Sequence, residues 1–148
     1  MNIKKEGKQI GHIGQRFSRK HVIALSFFMP LIIMIGCCIA FGIQPFGDNS
    51  LLIIDGLHQY MPFYSVLYDK LKSGESLFYS FRSGLGINFL SLFSYYLSSP
   101  LNLLILFFKK SQLNMAVSMI IVLKIALSGM TSGIYFSSKS KKPGLHVL

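Results

Sequence analysis

The sequence has no tryptophan, only two cysteines and only five carboxylates among 148 residues. Each shortage excludes something. The cysteines, Cys37 and Cys38, are neighbours inside an apolar run, so no disulfide framework is possible, and a metal site there would lack other ligands; they read as two small apolar residues. Charged residues make up 14 % of the chain, against roughly 25 % in an ordinary soluble domain. Hydrophobic residues reach 51 % with a mean hydropathy of +0.51, which removes the soluble single domain that the length alone would suggest.

The net charge of +10 raises nucleic acid as a partner. A nucleic-acid binder carries its basic residues as a stripe on a folded face. Here Lys4, Lys5, Lys8, Arg16, Arg19 and Lys20 precede the apolar segments, and Lys139, Lys141 and Lys142 follow them. That bracketing is the pattern of membrane flanks, and nucleic acid is not an expected partner.

Residues 1–21 read as a basic cytoplasmic tail. Val22–Ile43 carries no charge and, as a helix, covers about 33 Å, enough for a hydrocarbon core of about 30 Å. It is too long for a signal-peptide core of roughly 7–15 residues. "MIGC", Met34 to Cys37, loosely resembles a lipoprotein cleavage box, but the apolar run continues past it to Ile43. Six basic residues precede this segment and none follows until Lys70, so lysine and arginine bias puts the amino terminus inside the cell and the next loop, 44–86, outside. Within that loop Pro62 is a suitable first helical residue and Gly74 a left-handed stop. Phe63, Val66, Leu67 and Leu71 recur at helical spacing, which predicts an amphipathic interfacial helix over 62–73. Tyr60, Tyr64 and Tyr68 take the interfacial place that tryptophan leaves vacant. "SGES" and "RSGLGIN" read as turns.

Two further apolar stretches follow. Ile87–Phe108 is interrupted by "SSP" and closed by Lys109 and Lys110; the next, over 114–137, holds Lys124 near its middle, and 138–148 is a basic tail. Three full crossings leave the last lysines outside, against the charge rule; if 87–108 dips in and returns at Pro100, they come back inside. Three crossings are the expectation, with the re-entrant course as alternative. The fold class expected is an all-α integral membrane protein of about three hydrophobic helices.

Four of the five acids, Asp48, Asp55, Asp69 and Glu75, fall in the outer loop. Asp55, after "LLII" and before "GLHQY", lies where a carboxylate can serve as general base toward a hydroxyl, or simply as a cap or turn residue. Asp48 in "PFGDNS" is turn chemistry first. His58 and Gln59 can orient a substrate or be ordinary surface groups. His12, His21 and His146 share no spacing with the acids, so no metal site is expected. "GLG" lacks the strand and later glycine of a dinucleotide loop, and the serines have no nucleophile context. Lys124 within an apolar helix costs roughly 2.5–3.5 kcal/mol on insertion scales, so it faces a bundle interior or wet cavity, or reaches the interface from a shallow helix. No acid lies within the apolar segments to pair with it, which leaves a loop carboxylate, a phosphate ligand or a partner elsewhere.

"PFGDNSLLIIDGLHQYMPFYSVL", "GESLFYSFRSGLGINFLSLFSYYLSSPLNLLILF" and "LKIALSGMTSGIYF" together resemble the YfhO-type bacterial membrane protein family over about Ile23 to Phe136. The resemblance implies the amino-terminal portion of a larger polytopic bundle, and "SSKSKKPGLHVL" then suggests a truncated reading frame. It further implies a membrane glycosyltransferase that takes a sugar from a polyprenyl phosphate and passes it to a cell-envelope polymer such as teichoic acid, without cofactor or metal. On that reading Asp55 is the base and Asp48 second choice; Arg82 and Lys124 meet the leaving phosphate; His58, Gln59, Tyr60 and Asn88 line the sugar or loop site. The alternatives are a non-catalytic membrane component, such as a transporter portion or accessory subunit, and an inactive truncated product.

Overall fold

A computed structural model describes residues 18–82 and 84–139. The expected basic tails, 1–21 and 138–148, lie outside the described residues except at 18–21 and 138–139. The chain is mostly helical and divides into two compact units: Ile32–Ile125, and one that joins the start of the first helix, 18–31, to the end of the last, 126–139.

Helix α1, Arg19–Ala40, and helix α4, Leu113–Lys139, are each long and apolar enough to cross a membrane. α1 starts three residues before the uncharged run, because Arg19, Lys20 and His21 tolerate a helix beyond the lipid. It stops short of Ile43, where Gly42 turns left-handed at φ 58°. Pro30 continues inside α1; it has no N–H, so the Ser26 carbonyl loses its helical partner. In this unit α4 covers that carbonyl: a Cβ on Gly129 would collide with Ser26 O and Pro30 Cγ, and one on Gly133 with the Ser26 side chain. The pair Gly129 and Gly133 is a small-residue seam of the kind that lets membrane helices approach closely.

In the Ile32–Ile125 unit, helix α2 runs Met61–Ser73 with Pro62 in its first turn and Gly74 at φ 71° closing it. Its apolar side, Tyr64, Val66 and Leu67, packs with Leu52, Phe89, Leu97, Ile105, Leu113, Val117 and Ile120 in one core. Leu67 and Phe89 are wholly buried, which stabilises by about 1.5–3 kcal/mol each relative to water.

The stretch from "SGES" to "RSGLGIN" keeps the expected turns, at Gly74 and at Gly84 to Gly86, and adds strand pairing. It folds into an antiparallel pair, β1 Tyr79–Ser80 and β2 Ile87–Asn88, with Tyr79 opposite Asn88 and Ser80 opposite Ile87. Gly84 at φ 58° and Gly86 at φ 105° make the reversal between them. Buried Lys70 of α2 fixes this hairpin, donating from Nζ to Ser76 O at 2.7 Å and Tyr79 O at 2.8 Å.

The second apolar stretch is not one straight helix. α3, Phe89–Leu92, widens into a π-helical turn, Phe93–Leu97, and a 3₁₀ helix, Pro100–Phe107, leaves at 99° to it. After this bend the chain rejoins the loop behind α1. Asn114, at the head of α4, donates from Nδ2 to Gln44 Oε1 at 3.2 Å and accepts from Ser50 Oγ at 2.8 Å.

Candidate functional site

Asp48 sits on the exposed turn that leaves α1. Asn49 closes this turn: its N–H donates to Gly42 O at 3.0 Å and its Nδ2 to Phe41 O at 2.8 Å. Gly47 lies against the Gly42 backbone, where a Cβ would not fit. Asp48 therefore occupies a built turn.

Asp55 has a different setting. Ile54 before it holds φ 47°, a left-handed conformation that a β-branched residue avoids. Asp55 then takes helical angles, φ −61° and ψ −34°, yet its side chain makes no capping bond, and it is exposed. Ile53, Ile54 and Leu57, its near neighbours in the chain, are also exposed. The next residues, Gly56–Tyr60, form a π-helical turn, with Met61 N–H bonded back to Gly56 O. This wide turn sets Gln59 and Tyr60 one turn after Asp55, with His58 exposed beside them.

Gln59 and Tyr60 meet one partner, Tyr96. Gln59 Nε2 donates to Tyr96 Oη at 3.1 Å, and the Tyr60 ring meets the Tyr96 ring edge-to-face at 5.1 Å. Phe63 and Tyr95 pack on the same ring at 5.3 and 4.6 Å. Tyr96 itself belongs to the second π turn, Phe93–Leu97. π-helical turns are rare and frequently mark functional sites; here two of them touch.

Arg82 and Asn88 are engaged elsewhere. Arg82 bonds Asp69 Oδ2 at 3.1 Å and Glu75 Oε1 at 2.7 Å, and Lys110 bonds Asp69 Oδ2 at 2.6 Å. Two of the four clustered acids thus belong to an exposed ion network with basic residues of the same unit. Asn88 caps α3, its Oδ1 accepting from Ser91 N–H at 3.3 Å.

Lys124 finds a neutral partner. Its Nζ donates at 2.9 Å to Asn102 Oδ1, which also accepts from Tyr64 Oη at 3.0 Å. Asn102 is 1 % exposed, and its Nδ2 donates to Leu97 O at 3.0 Å. Burial, and secondarily the nearby Tyr60, push the Tyr64 phenol above its ordinary value, so it is a donor at neutral pH. No described carboxylate pairs with Lys124, and among the described residues no three His, Cys, Asp or Glu gather to hold a metal.

Residues 26–148 match the family described as bacterial membrane protein YfhO. The chain belongs to that family. Two spanning-length helices accord with the membrane protein the family name describes. No curated protein and no solved structure matches this YfhO-family chain.

Within this family member, sequence reasoning had passed over Tyr96, Asn102 and Tyr64 as functional groups. Asn102 in "SSPLNLL" carried a usable signal, because a lone amide in an apolar run demands a partner. Tyr96 carried none, since in "FSYYL" it is indistinguishable from interfacial aromatics.

Proposed function

We propose that this YfhO-family protein contributes the acceptor-activating site of a glycosyl transfer at the outer face of the bacterial membrane. The donor is a sugar on a polyprenyl phosphate and the acceptor a hydroxyl of a cell-envelope polymer such as teichoic acid. The observation that carries this reading is Asp55: an exposed carboxylate without a capping bond, behind a left-handed Ile54 and flanked in the chain by exposed Ile53, Ile54 and Leu57. A capping or turn aspartate has its oxygens on backbone N–H groups. A base for a lipid-borne donor needs its oxygens open and an apolar surface around it.

In the step proposed, the Asp55 carboxylate takes the proton of the acceptor hydroxyl as that oxygen attacks the anomeric carbon. The bond from this carbon to the phosphate oxygen breaks, and its electron pair leaves with the polyprenyl phosphate. Gln59, Tyr60 and Tyr96 offer an amide and phenol hydroxyls for the sugar, with His58 at the edge. Asp48, fixed in its turn, is a lesser candidate.

Asp55→Asn keeps the size of the side chain and removes the base, and a positioned base is worth about 10²–10⁴-fold in rate. Sugar on the envelope polymer, read by mass spectrometry in the bacterium that makes this protein, should fall by that order, while Asp48→Asn changes it little. Undiminished glycosylation with normally expressed Asp55→Asn protein removes the catalytic reading and leaves a non-catalytic membrane component.

A further inference from the structure

The apolar side of α2, expected at the lipid boundary, is taken up by the core: Tyr64, Val66 and Leu67 are buried there, with Phe63, Tyr68 and Leu71 packed against it. Apolar side chains are displayed instead on the hairpin. Ser80 is buried, whereas Tyr79 and Phe81 on either side of it are exposed. Their rings meet edge-to-face at 4.8 Å, and Tyr79 Oη lies over Gly86, where a Cβ would not fit. Phe78, Phe81 and Leu85 are 71, 80 and 103 % exposed. Lys70, bonded to the carbonyls of Ser76 and Tyr79, holds this display in place. Ion pairs fix its level. Arg82 Nη1 and Lys110 Nζ share one oxygen, Asp69 Oδ2, at 3.1 and 2.6 Å, and Lys110 is the first residue of the spanning-length segment Lys110–Lys139. The hairpin therefore stands at the end of a span, the level at which aromatic rings and long cations meet headgroups.

We propose that this hairpin is a membrane anchor: Phe78, Phe81 and Leu85 enter the boundary between headgroups and acyl chains, and the cations around them rest on anionic headgroups. Burial of apolar area, together with attraction to anionic lipid, is what holds an element in that boundary. Both contributions are present. The exposed rings and Leu85 supply the area. Residues 69–110 supply the charge, with five cations, Lys70, Lys72, Arg82, Lys109 and Lys110, against two carboxylates, Asp69 and Glu75, a net +3. All of these cations except Lys70 are exposed. A second copy of the chain would bring the same excess of positive charge to the same patch, and like charges repel; an anionic lipid surface complements it. The anchor requires no turnover and does not rest on the proposed sugar transfer.

The chain has no tryptophan, so Phe81→Trp places a single fluorophore on the hairpin and keeps an exposed aromatic there. The full chain carrying it is placed in nanodiscs of equal phosphatidylglycerol and phosphatidylcholine, with bromine on the acyl chains of one lipid or the other, and iodide serves as the quencher in water. Brominated lipid should quench the tryptophan. Bromine on phosphatidylglycerol should quench it several-fold more than bromine on phosphatidylcholine, the scale of one uncompensated basic residue at an anionic surface. Phe78→Trp should behave alike, and keeps the test decisive if Phe81→Trp fails to fold. Quenching by iodide alone puts the hairpin in water and overturns the proposal. A tryptophan that neither quencher reaches is covered by protein, a second copy included, and overturns it too. So does equal quenching by the two brominated lipids. Asp55→Asn combined with Phe81→Trp should leave the quenching unchanged while sugar transfer falls, so the anchor and the transfer reading fail separately.

Discussion

Lys70 shows how a single buried cation can be structural. It is 3 % exposed, with two carbonyls on its ammonium, the Phe89 ring 5.4 Å from Nζ and Glu75 at 3.8 Å. Lys70→Met keeps the apolar stem and strands both carbonyls of the hairpin, a loss of about 2–4 kcal/mol. The variant should unfold at lower temperature and be cut by protease between Ser76 and Gly86. Arg82 is the contrast. Its partners Asp69 and Glu75 are part-exposed, so Arg82→Gln should cost no more than about 1 kcal/mol. Equal losses for the two variants would contradict this ranking. The sequence made Asp55 and Lys124 visible because charge is scarce and their positions are unusual. It did not reveal which basic residue pairs with which acid, since Arg82 reaches across 13 and 7 residues to Asp69 and Glu75.

At the level of elements, hydrophobic length and scarcity of charge were enough to read α1 and α4, and proline-first, glycine-last punctuation enough to read α2. The π turns were not legible: bonding to the fifth residue in place of the fourth leaves no compositional trace. Strands of two residues are likewise too short to show a period of two. The seam of α4 is the four-residue glycine spacing of "GMTSG", which only the contact with Ser26 singles out. Its two glycines face different neighbours. A Cβ on Gly129 would approach the backbone carbonyl of Ser26 most closely, whereas one on Gly133 would meet the Ser26 side chain, whose hydroxyl can rotate while its Cβ stays in the way. Gly129→Ala should therefore destabilise by about 1–3 kcal/mol and Gly133→Ala by less. Thermal unfolding in detergent ranks the two, and the reverse order would show that this contact does not limit the approach.

For the whole molecule, the bonds from Asn114 to Gln44 and Ser50 place the head of α4 at the end of α1. Lys110 and Phe108 meet Asp69 and Tyr68 of the same loop region. A chain that passes through 89–107 and then touches the loop it came from is what a re-entrant course requires, and the 99° bend between Phe89–Leu97 and Pro100–Phe107 would be its reversal. These contacts fit the re-entrant alternative, while length and composition allow two crossings or three. The charge rule agrees, because both basic ends then lie inside, whereas three crossings put Lys139, Lys141 and Lys142 outside. Cysteine labelling decides between them. With Cys37 and Cys38 replaced by alanine, Asn49→Cys and Ser111→Cys should both react with an impermeant thiol reagent in intact cells. Three crossings expose Asn49→Cys alone. If both react only after lysis, the loop that carries Asp55 faces the cytosol, and an acceptor on the envelope polymer lies beyond its reach.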